Sequence, residues 1–260
     1  MKPLAELRGV HRLRGLLFDI DDTLTTEGRL TAEAYGAMER FKQAGRLVVP
    51  VTGRSAGWCD QIARLWPVDA VVGENGAFYF CHRGGRMLKR YQDDSAARAR
   101  NRPRLEAIGK RIVAGIAGCA LASDQGCRET DLAIDYCEDV PALPLATAER
   151  IAACMREAGL TAKISSIHVN GWFGDYDKLA MTQRLFAEIF ERDAGALQQE
   201  YAFAGDSPND APMFAYFDSS IGVANVARFC GRLAAEPKYV TRAAAGAGFA
   251  ELAAHLLGES

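Results

Sequence analysis

The chain has 260 residues, of which 49% are hydrophobic and 25% are charged, and its formal net charge is −2. This length accommodates one large domain or two modest ones. The near-neutral charge, with lysines and arginines spread along the chain, argues against nucleic acid or an anionic membrane as a partner. No apolar run approaches the ~20 residues that span a bilayer. Seven cysteines without a Cys-x-x-Cys pair and the lack of a signal peptide pattern at the start predict a reduced, cytoplasmic protein.

The first part of the chain alternates apolar runs with amphipathic segments, which is the pattern of β-α-β units. A buried strand is predicted over Leu13–Ile20. Thr31–Ala44 has helical spacing, with Thr31 as its N-cap and Gly45 as its stop. The other elements predicted here are strands at 46–51 and 70–72 and a helix at 55–65.

The pattern changes near residue 78 and returns to the first type near residue 172. Between them we predict a hairpin of strands 78–81 and 86–89, helices at 95–116 and 147–158, and strands at 132–137 and 161–170. After them come helices at 177–194, 210–216 and 249–257 and strands at 201–204, 219–223 and 238–240. The predicted fold is therefore α/β. A Rossmann-like parallel-sheet core over residues 1–77 and 172–260 carries an inserted α+β cap domain over residues 78–171.

Acidic side chains follow two of the predicted core strands. Asp19 and Asp21 come after the first strand, and Asp206 comes after the strand at 201–204. Parallel α/β sheets build their sites at the carboxyl edge of the strands, so these side chains are expected to meet. Carboxylates this close repel one another unless a cation or a proton lies between them. Mg²⁺ prefers oxygen ligands and is often held by one or two carboxylates, so it is the predicted cofactor, and Asp206 could supply a second carboxylate from the neighbouring strand end.

Other side chains in this pattern suit the binding and transfer of a phosphoryl group. Thr52 and Gly53 offer a hydroxyl and an unhindered N–H to phosphate oxygens, and Lys178 offers a mobile positive charge. Asp19 is then placed to attack phosphorus, and Asp21 to act as acid and base. Each residue also has an ordinary structural explanation: a turn or cap for the acids and Thr52, and a solvated side chain for Lys178. Asn209 and Asp210 either cap the following helix or orient metal-bound water and Lys178.

Four ordered motifs carry a resemblance to a known family: Asp19–Leu24, Thr52–Arg54, Lys178 and Gly205–Asp210. They resemble the motifs of the haloacid dehalogenase (HAD)-like superfamily of phosphotransferases. The resemblance implies that Asp19 is the nucleophile and Asp21 the acid/base. It also implies Mg²⁺ ligands from the Asp19 and Asp206 side chains and the Asp21 backbone carbonyl, with Asp210 assisting. The residues predicted to bind substrate phosphate are Thr52, Gly53, Lys178 and Asn209.

The place of the insertion resembles subfamily IIB, whose cap is of the C2B type. Only about thirty residues separate the first two motifs, whereas about 125 lie between Thr52 and Lys178. Such members include phosphatases of the Cof, sucrose-phosphate and mannosyl-3-phosphoglycerate types, and phosphomannomutases. The segment Glu74–Ala77 also recurs before the cap in such proteins. One departure is Asp22, where these members commonly have Gly, and its added charge would tune metal affinity.

The leaving group of the substrate is expected to face the cap. The predicted specificity residues are Arg54, Asn75, His168 and Asn170. Three of them have an alternative: Arg54 pairs with a surface acid, Asn75 makes a turn, and a lone His on a strand, such as His168, is structural. Trp172 is expected to pack the hinge.

The predicted function is a Mg²⁺-dependent phosphatase for a small phosphorylated sugar or sugar acid, acting through an aspartyl-phosphate. One alternative is a phosphomutase of the phosphomannomutase type, which returns the phosphoryl group to its substrate. Another is a phospho-acceptor signalling module without turnover. Receivers of that kind lack an acid/base two residues after the nucleophile and have no cap. The predicted partner is a small phosphate ester, and the sequence carries no indication of oligomeric state.

Overall fold

The computed structural model describes residues 1–259, and no helix in that range is long and apolar enough to cross a membrane. The strands are β1 (Lys2–Pro3), β2 (Gly15–Phe18), β3 (Leu47–Pro50), β4 (Val71–Gly73), β5 (Phe78–Arg83), β6 (Arg86–Tyr91), β7 (Ala120–Leu121), β8 (Asp131–Asp135), β9 (Thr161–Ile164), β10 (His168–Trp172), β11 (Tyr201–Gly205), β12 (Ser219–Gly222) and β13 (Tyr239–Val240). The α-helices are α1 (Ala32–Gln43), α2 (Ala56–Leu65), α3 (Ser95–Gly115), α4 (Leu145–Glu157), α5 (Lys178–Ile189), α6 (Ala194–Glu200), α7 (Ala211–Tyr216) and α8 (Ala245–Leu257).

A six-stranded sheet forms the core, in the order β1-β13-β12-β11-β2-β3, and every neighbouring pair in it is parallel. The central strands β2 and β11 are neighbours, with Phe18 opposite Ala204. The chain therefore leaves both strands side by side, at Asp19 and at Asp206. The predicted α/β fold with a parallel core sheet is confirmed.

Alternate residues of the central strands separate into two apolar layers. Leu16 and Phe18 of β2 pack with α1 and α8 on one face of the sheet. Leu17 and Phe203 pack with α5 and α7 on the other. Because side chains alternate across a strand, a strand covered by helices on both faces needs apolar residues throughout. This burial explains why the motif strands are continuous apolar runs and why their polar ends stand out.

A second, antiparallel sheet in the order β7-β8-β10-β9 packs against α3 and α4 around its own apolar cluster. The single strand predicted over Thr161–Asn170 is wrong, because a turn at 165–167 divides it into β9 and β10. The Ser165 hydroxyl closes this turn by accepting the His168 N–H at 3.0 Å.

The helix predicted over Asp177–Ala194 is wrong at its C-terminal end. The α5 helix ends at Ile189, and Glu191 has a φ of 54°, a left-handed conformation that does not continue a helix. Asp193 then caps the separate helix α6 by accepting the Ala196 N–H at 2.8 Å. At the other end, Asp177 caps α5 and makes Lys178 its first residue.

The hairpin of β5 and β6 joins the core. The β5 strand pairs with β4, and Tyr79 and Cys81 pack in the same apolar cluster as α5. The domain boundaries at 77/78 and 171/172 stay predictions. The packing of the hairpin favours a cap that begins after Tyr91.

Candidate active site

Three carboxylates meet at the carboxyl edge of the central strands. Asp19 follows β2, Asp206 follows β11, and Asp210 lies in the turn before α7. One oxygen of each carboxylate lies within 4.8 Å of the others, and all three residues are buried. Three buried acids at this distance are a strongly repulsive arrangement unless positive charge or protons accompany them.

Lys178 supplies part of that positive charge. Its Nζ donates to Asp19 Oδ1 at 2.9 Å and to Asp210 Oδ1 at 2.8 Å. Burial lowers the pKa of Lys178, but the attraction of the two carboxylates outweighs it and leaves that pKa raised. The ammonium group is therefore charged and holds these two acids together.

Lys178 does not offset the whole negative charge of the site. Burial raises the pKa of Asp19 to about 7 although Lys178 opposes the shift. Burial and the neighbouring acids also raise the pKa of Asp206 well above its ordinary value. A divalent cation would remove this repulsion, and the donors available to it are all oxygens. This donor set fits Mg²⁺.

The predicted acid/base, Asp21, lies beside the three carboxylates and is bound by Arg54. Arg54 Nε is 3.0 Å from both carboxylate oxygens of Asp21, and its Nη2 donates to Oδ1 at 2.6 Å. The same Nη2 donates to Glu138 of the cap at 2.6 Å. His168 Nε2 lies 2.9 Å from the other oxygen of Glu138. Arg54 thus pairs with two acids inside the site. The alternative considered from the sequence was a pair with an acid on the surface.

The predicted phosphate-binding loop has two donors that are not otherwise used. The Thr52 hydroxyl accepts the Arg54 N–H at 3.0 Å. Within residues 1–259, that hydroxyl donates to no acceptor, and neither does the Gly53 N–H. Both hydrogens are available to phosphate oxygens.

Asn75 and Asn209 form a pair beside this loop. Asn209 Nδ2 donates to Asn75 Oδ1 at 3.0 Å, and its Oδ1 accepts from the Ser207 hydroxyl at 2.8 Å. The buried Asn75 Nδ2 has no acceptor in residues 1–259. A Cβ added to Gly53 would lie 3.1 Å from that nitrogen. The free amide N–H at the phosphate loop therefore belongs to Asn75, and Asn209 orients it.

A cavity of about 340 Å³ lies above these groups, between the core and the cap. It lies beside Asp21, the predicted acid/base, and its lining also includes Asp22, Arg54, Glu138, Ser166 and Arg228. A larger groove, of about 520 Å³, lies between α4 and residues 208–234 and contains none of the predicted site residues. Of these two spaces, the smaller one adjoins the predicted site residues.

Comparison with known proteins agrees with this architecture. Residues 16–98 match the family model of the haloacid dehalogenase-like hydrolases. Over these residues the chain is similar to the haloacid dehalogenase-like hydrolases. No curated protein matches it.

Solved structures share the fold of this protein over nearly the whole chain. A Thermoplasma acidophilum protein has 16% identity and a TM-score of 0.69, covering 94% of this chain and 98% of its own. The Synechocystis sucrose-phosphatase, solved with sucrose and phosphate, has 16% identity and a TM-score of 0.62, covering 94% and 98%. The C-terminal domain of Candida albicans trehalose-6-phosphate phosphatase has 13% identity and a TM-score of 0.67, covering 95% and 92%. At these identities the likeness is one of fold.

The backbone explains the departure from the HAD-like first motif at Asp22. This residue has a φ of 55°, in the left-handed region that glycine adopts most readily and that Asp tolerates better than most residues. Its carboxylate lies 3.6 Å from Arg228 Nη1. The charge of Asp22 therefore faces an arginine at the cavity.

The cap residues predicted to set specificity have different positions in this HAD-like structure. His168 reaches the site through Glu138. Asn170 does not, because it is buried in the cap and donates to Asp131 at 2.8 Å. Trp172 is fully buried and stacks on Tyr176 with ring centroids 5.5 Å apart.

Two polar residues of the site are not marked by the HAD-like motifs. Asn225 donates to Asp206 Oδ2 at 3.1 Å and to the Asp22 carbonyl at 2.9 Å. It follows β12, so the rule that parallel strand ends share an edge could have found it. Glu138 lies in an irregular segment after β8, and no local pattern marks it. Burial opposes the shift, but the neighbouring His168 and Arg54 lower the pKa of Glu138 to about 2.

Proposed function

We propose that the chain is a Mg²⁺-dependent phosphatase that hydrolyses the phosphate ester of a small sugar or sugar acid. The observation that carries this proposal is the buried set of Asp19, Asp206 and Asp210 around Lys178, at the edge of a parallel sheet. The sucrose- and trehalose-6-phosphate phosphatases among its structural neighbours support a phosphorylated sugar as substrate. All seven cysteines are free thiols, which supports the cytoplasm as its location.

The proposed metal ligands are the side chains of Asp19 and Asp206 and the backbone carbonyl of Asp21, with Asp210 assisting. Bound there, Mg²⁺ would offset the charge of the phosphate and make its phosphorus open to attack. The Thr52 hydroxyl, the Gly53 N–H and Lys178 would hold the remaining phosphate oxygens. Asn75 would add its free amide N–H, and Asn209 would act through Asn75.

The reaction would proceed in two displacements at phosphorus. A carboxylate oxygen of Asp19 forms a bond to phosphorus while the bond from phosphorus to the ester oxygen breaks, and Asp21 gives its proton to that oxygen. In the second step Asp21 takes a proton from a water molecule whose oxygen attacks phosphorus. The bond between Asp19 and phosphorus then breaks, which releases inorganic phosphate. Arg54 holds Asp21 in place through both steps.

The test is phosphate release from a panel of sugar and glycerate phosphates, with and without Mg²⁺. We expect Mg²⁺-dependent release that disappears in Asp19→Asn, because an amide cannot act as the nucleophile. Asp60→Asn, an acid on α2 that pairs with Arg64 and Lys89, should retain the activity. Release by a clean preparation of Asp19→Asn would contradict the role of Asp19. A long-lived aspartyl-phosphate without release would favour the acceptor module, and a need for a bisphosphate activator would favour the mutase.

A further inference from the structure

A cap residue, Arg128, lies directly behind the phosphate-binding loop. Its side chain is fully buried, and its Nη1 donates to the Gly53 carbonyl at 2.9 Å. The same guanidinium donates to Asp131 at 3.0 Å and to Asp124 at 2.9 Å. Two carboxylates therefore fix the direction in which Arg128 presents its N–H to Gly53.

The Gly53 carbonyl belongs to the same peptide unit as the Arg54 N–H, which donates to the Thr52 hydroxyl at 3.0 Å. A peptide unit is planar, so a bond that holds its carbonyl oxygen also sets the direction of its N–H. A hydroxyl that accepts from this N–H turns its own hydrogen elsewhere. The bond from Arg128 therefore governs where the Thr52 hydroxyl can donate.

Glu74 fastens the same cap segment to the core. Its carboxylate accepts the N–H of Ala56 at 2.9 Å, where α2 begins directly after the loop. It also accepts the N–H groups of three successive cap residues, Glu129, Thr130 and Asp131. The Glu74 N–H donates to the Arg54 carbonyl at 3.1 Å. The Glu74 carboxylate thus connects the start of α2, which follows the loop, to residues 129–131, which follow Arg128.

Stability alone is a poor account of this network. It buries the charged side chains of Arg128, Glu74 and Asp131 together, and replacing buried ion groups by apolar ones is often neutral or stabilising. Asn170 adds a further donor to Asp131 at 2.8 Å. What the network achieves is a single orientation of the peptide whose N–H donates to the Thr52 hydroxyl.

We propose that Arg128 is a positioning residue that aims the Thr52 hydroxyl at the substrate phosphate. In this proposal the cap orients the phosphate-binding loop through Arg128, in addition to covering the leaving group. The role in catalysis rests on the proposed phosphatase function. The orientation of the loop by Arg128 is a property of the free protein and can be measured separately.

The kinetic test compares Arg128→Met and Arg128→Lys with Arg150→Met, an exposed arginine of the same cap. Arg128→Met should raise both the KM for the ester and the inhibition constant of inorganic phosphate roughly tenfold, with a smaller change in kcat, because a hydrogen bond to a charged group is lost. Arg128→Lys should show a smaller loss of phosphate affinity than Arg128→Met. Its single ammonium group keeps the positive charge but cannot make all the hydrogen bonds of the guanidinium. Arg150→Met should match the wild type. A lower kcat with an unchanged inhibition constant in Arg128→Met would overturn the proposal.

Hydrogen–deuterium exchange on the free protein tests the loop itself. We expect faster exchange in peptides spanning residues 51–57 for Arg128→Met, and a smaller increase for Arg128→Lys, relative to Arg150→Met. If Arg128→Met fails to fold, Arg128→Lys decides the question alone. Unchanged exchange in the folded variants would overturn the proposal. If the wild type releases phosphate from no ester, the phosphatase function fails, and the exchange data still decide whether Arg128 orients the loop.

Discussion

Asp206 differs from the other two carboxylates of the site in its partners. Lys178 binds Asp19 and Asp210, whereas Asp206 accepts from the uncharged Thr23 at 3.3 Å and Asn225 at 3.1 Å. Full burial raises the pKa of Asp206, and the charges of Asp19 and Asp210 raise it further. A buried carboxylate without a cationic partner favours either a proton or a metal ion. Asp206 is therefore the residue at which the charge of the proposed Mg²⁺ would matter most.

Asp206→Asn should raise the Mg²⁺ concentration needed for half-maximal activity by roughly tenfold or more, since altering even an outer partner of a metal ligand costs 10–100-fold in affinity. Mg²⁺ should also raise the midpoint of thermal unfolding of the wild type but not of this variant, because ligands stabilise only the state that binds them. Asp218→Asn, an exposed acid that pairs with Lys238, is the control. A Mg²⁺ titration that superimposes on that of the wild type would show that Asp206 is not a ligand.

At the scale of elements, the start of α5 depends on a glycine in the preceding core. Gly76 has a φ of 103°, and a Cβ there would lie 1.9 Å from the Asp177 carbonyl oxygen and 2.9 Å from the Lys178 nitrogen. Because Gly76 has no side chain, the first turn of α5 packs directly against the turn after β4. The position of the Lys178 ammonium is thus set by packing between two elements that are about a hundred residues apart.

Gly76→Ala should lower the free energy of unfolding by about 3 kcal/mol or more, because backbone strain of ~1–3 kcal/mol is joined by a clash with rigid backbone. Gly84→Ala is the matched control: Gly84 also has a positive φ, of 56°, but nothing lies within 4 Å of the added Cβ. It should cost only about 1–2 kcal/mol. Urea unfolding of both variants measures the difference. Equal losses would contradict the account of Gly76 as a packing position.

The core elements could be predicted from sequence because local patterns determine them. Strands β2 and β11 are buried on both faces, so they read as apolar runs, and the acids after them stand out. The turn at Ser165 was missed because polar and apolar residues alternate on both sides of it, and only the adjacent Ser165 and Ser166 interrupt that pattern. Arg128 and Glu138 were missed for another reason. Their core partners are 75 and 84 residues away in sequence, and charged residues in irregular segments usually indicate a solvated surface.

For the molecule as a whole, two of the contacts between core and cap are made by adjacent loop residues. Arg54 links Asp21 of the core to Glu138 of the cap, and the Gly53 carbonyl accepts from Arg128. The residues next to the phosphate site therefore also bind the cap. Arg54 further lies 4.9 Å from the ring centroid of the exposed Trp58, which packs against the guanidinium and restricts its movement. The position of Asp21, the proposed acid/base, is therefore coupled to the cap through the Arg54 side chain.

The ion pair between Arg54 and Glu138 should contribute to stability in a pH-dependent way. Burial opposes the shift, but His168 and Arg54 lower the pKa of Glu138 from its ordinary value of 4.5 to about 2. A depressed folded-state pKa stabilises the folded protein above the ordinary value, and that stabilisation is lost as the pH falls toward the depressed value. Between about pH 4.5 and 2, the free energy of unfolding should therefore fall more steeply in the wild type than in Glu138→Gln. Above that range the wild type should be the more stable of the two.

The matched control for this pH series is Glu149→Gln. Glu149 also joins cap to core, through a 3.5 Å pair with Arg232, but both side chains are more than half exposed. Solvent and salt screen such a pair, so its removal should leave the pH dependence close to that of the wild type. Thermal or urea unfolding at each pH measures all three proteins. If Glu138→Gln parallels the wild type, Arg54 does not bind the cap through Glu138 in solution. If Glu149→Gln flattens the dependence of the free energy of unfolding on pH equally, the total charge of core and cap, rather than the Arg54–Glu138 pair, determines how the cap is held.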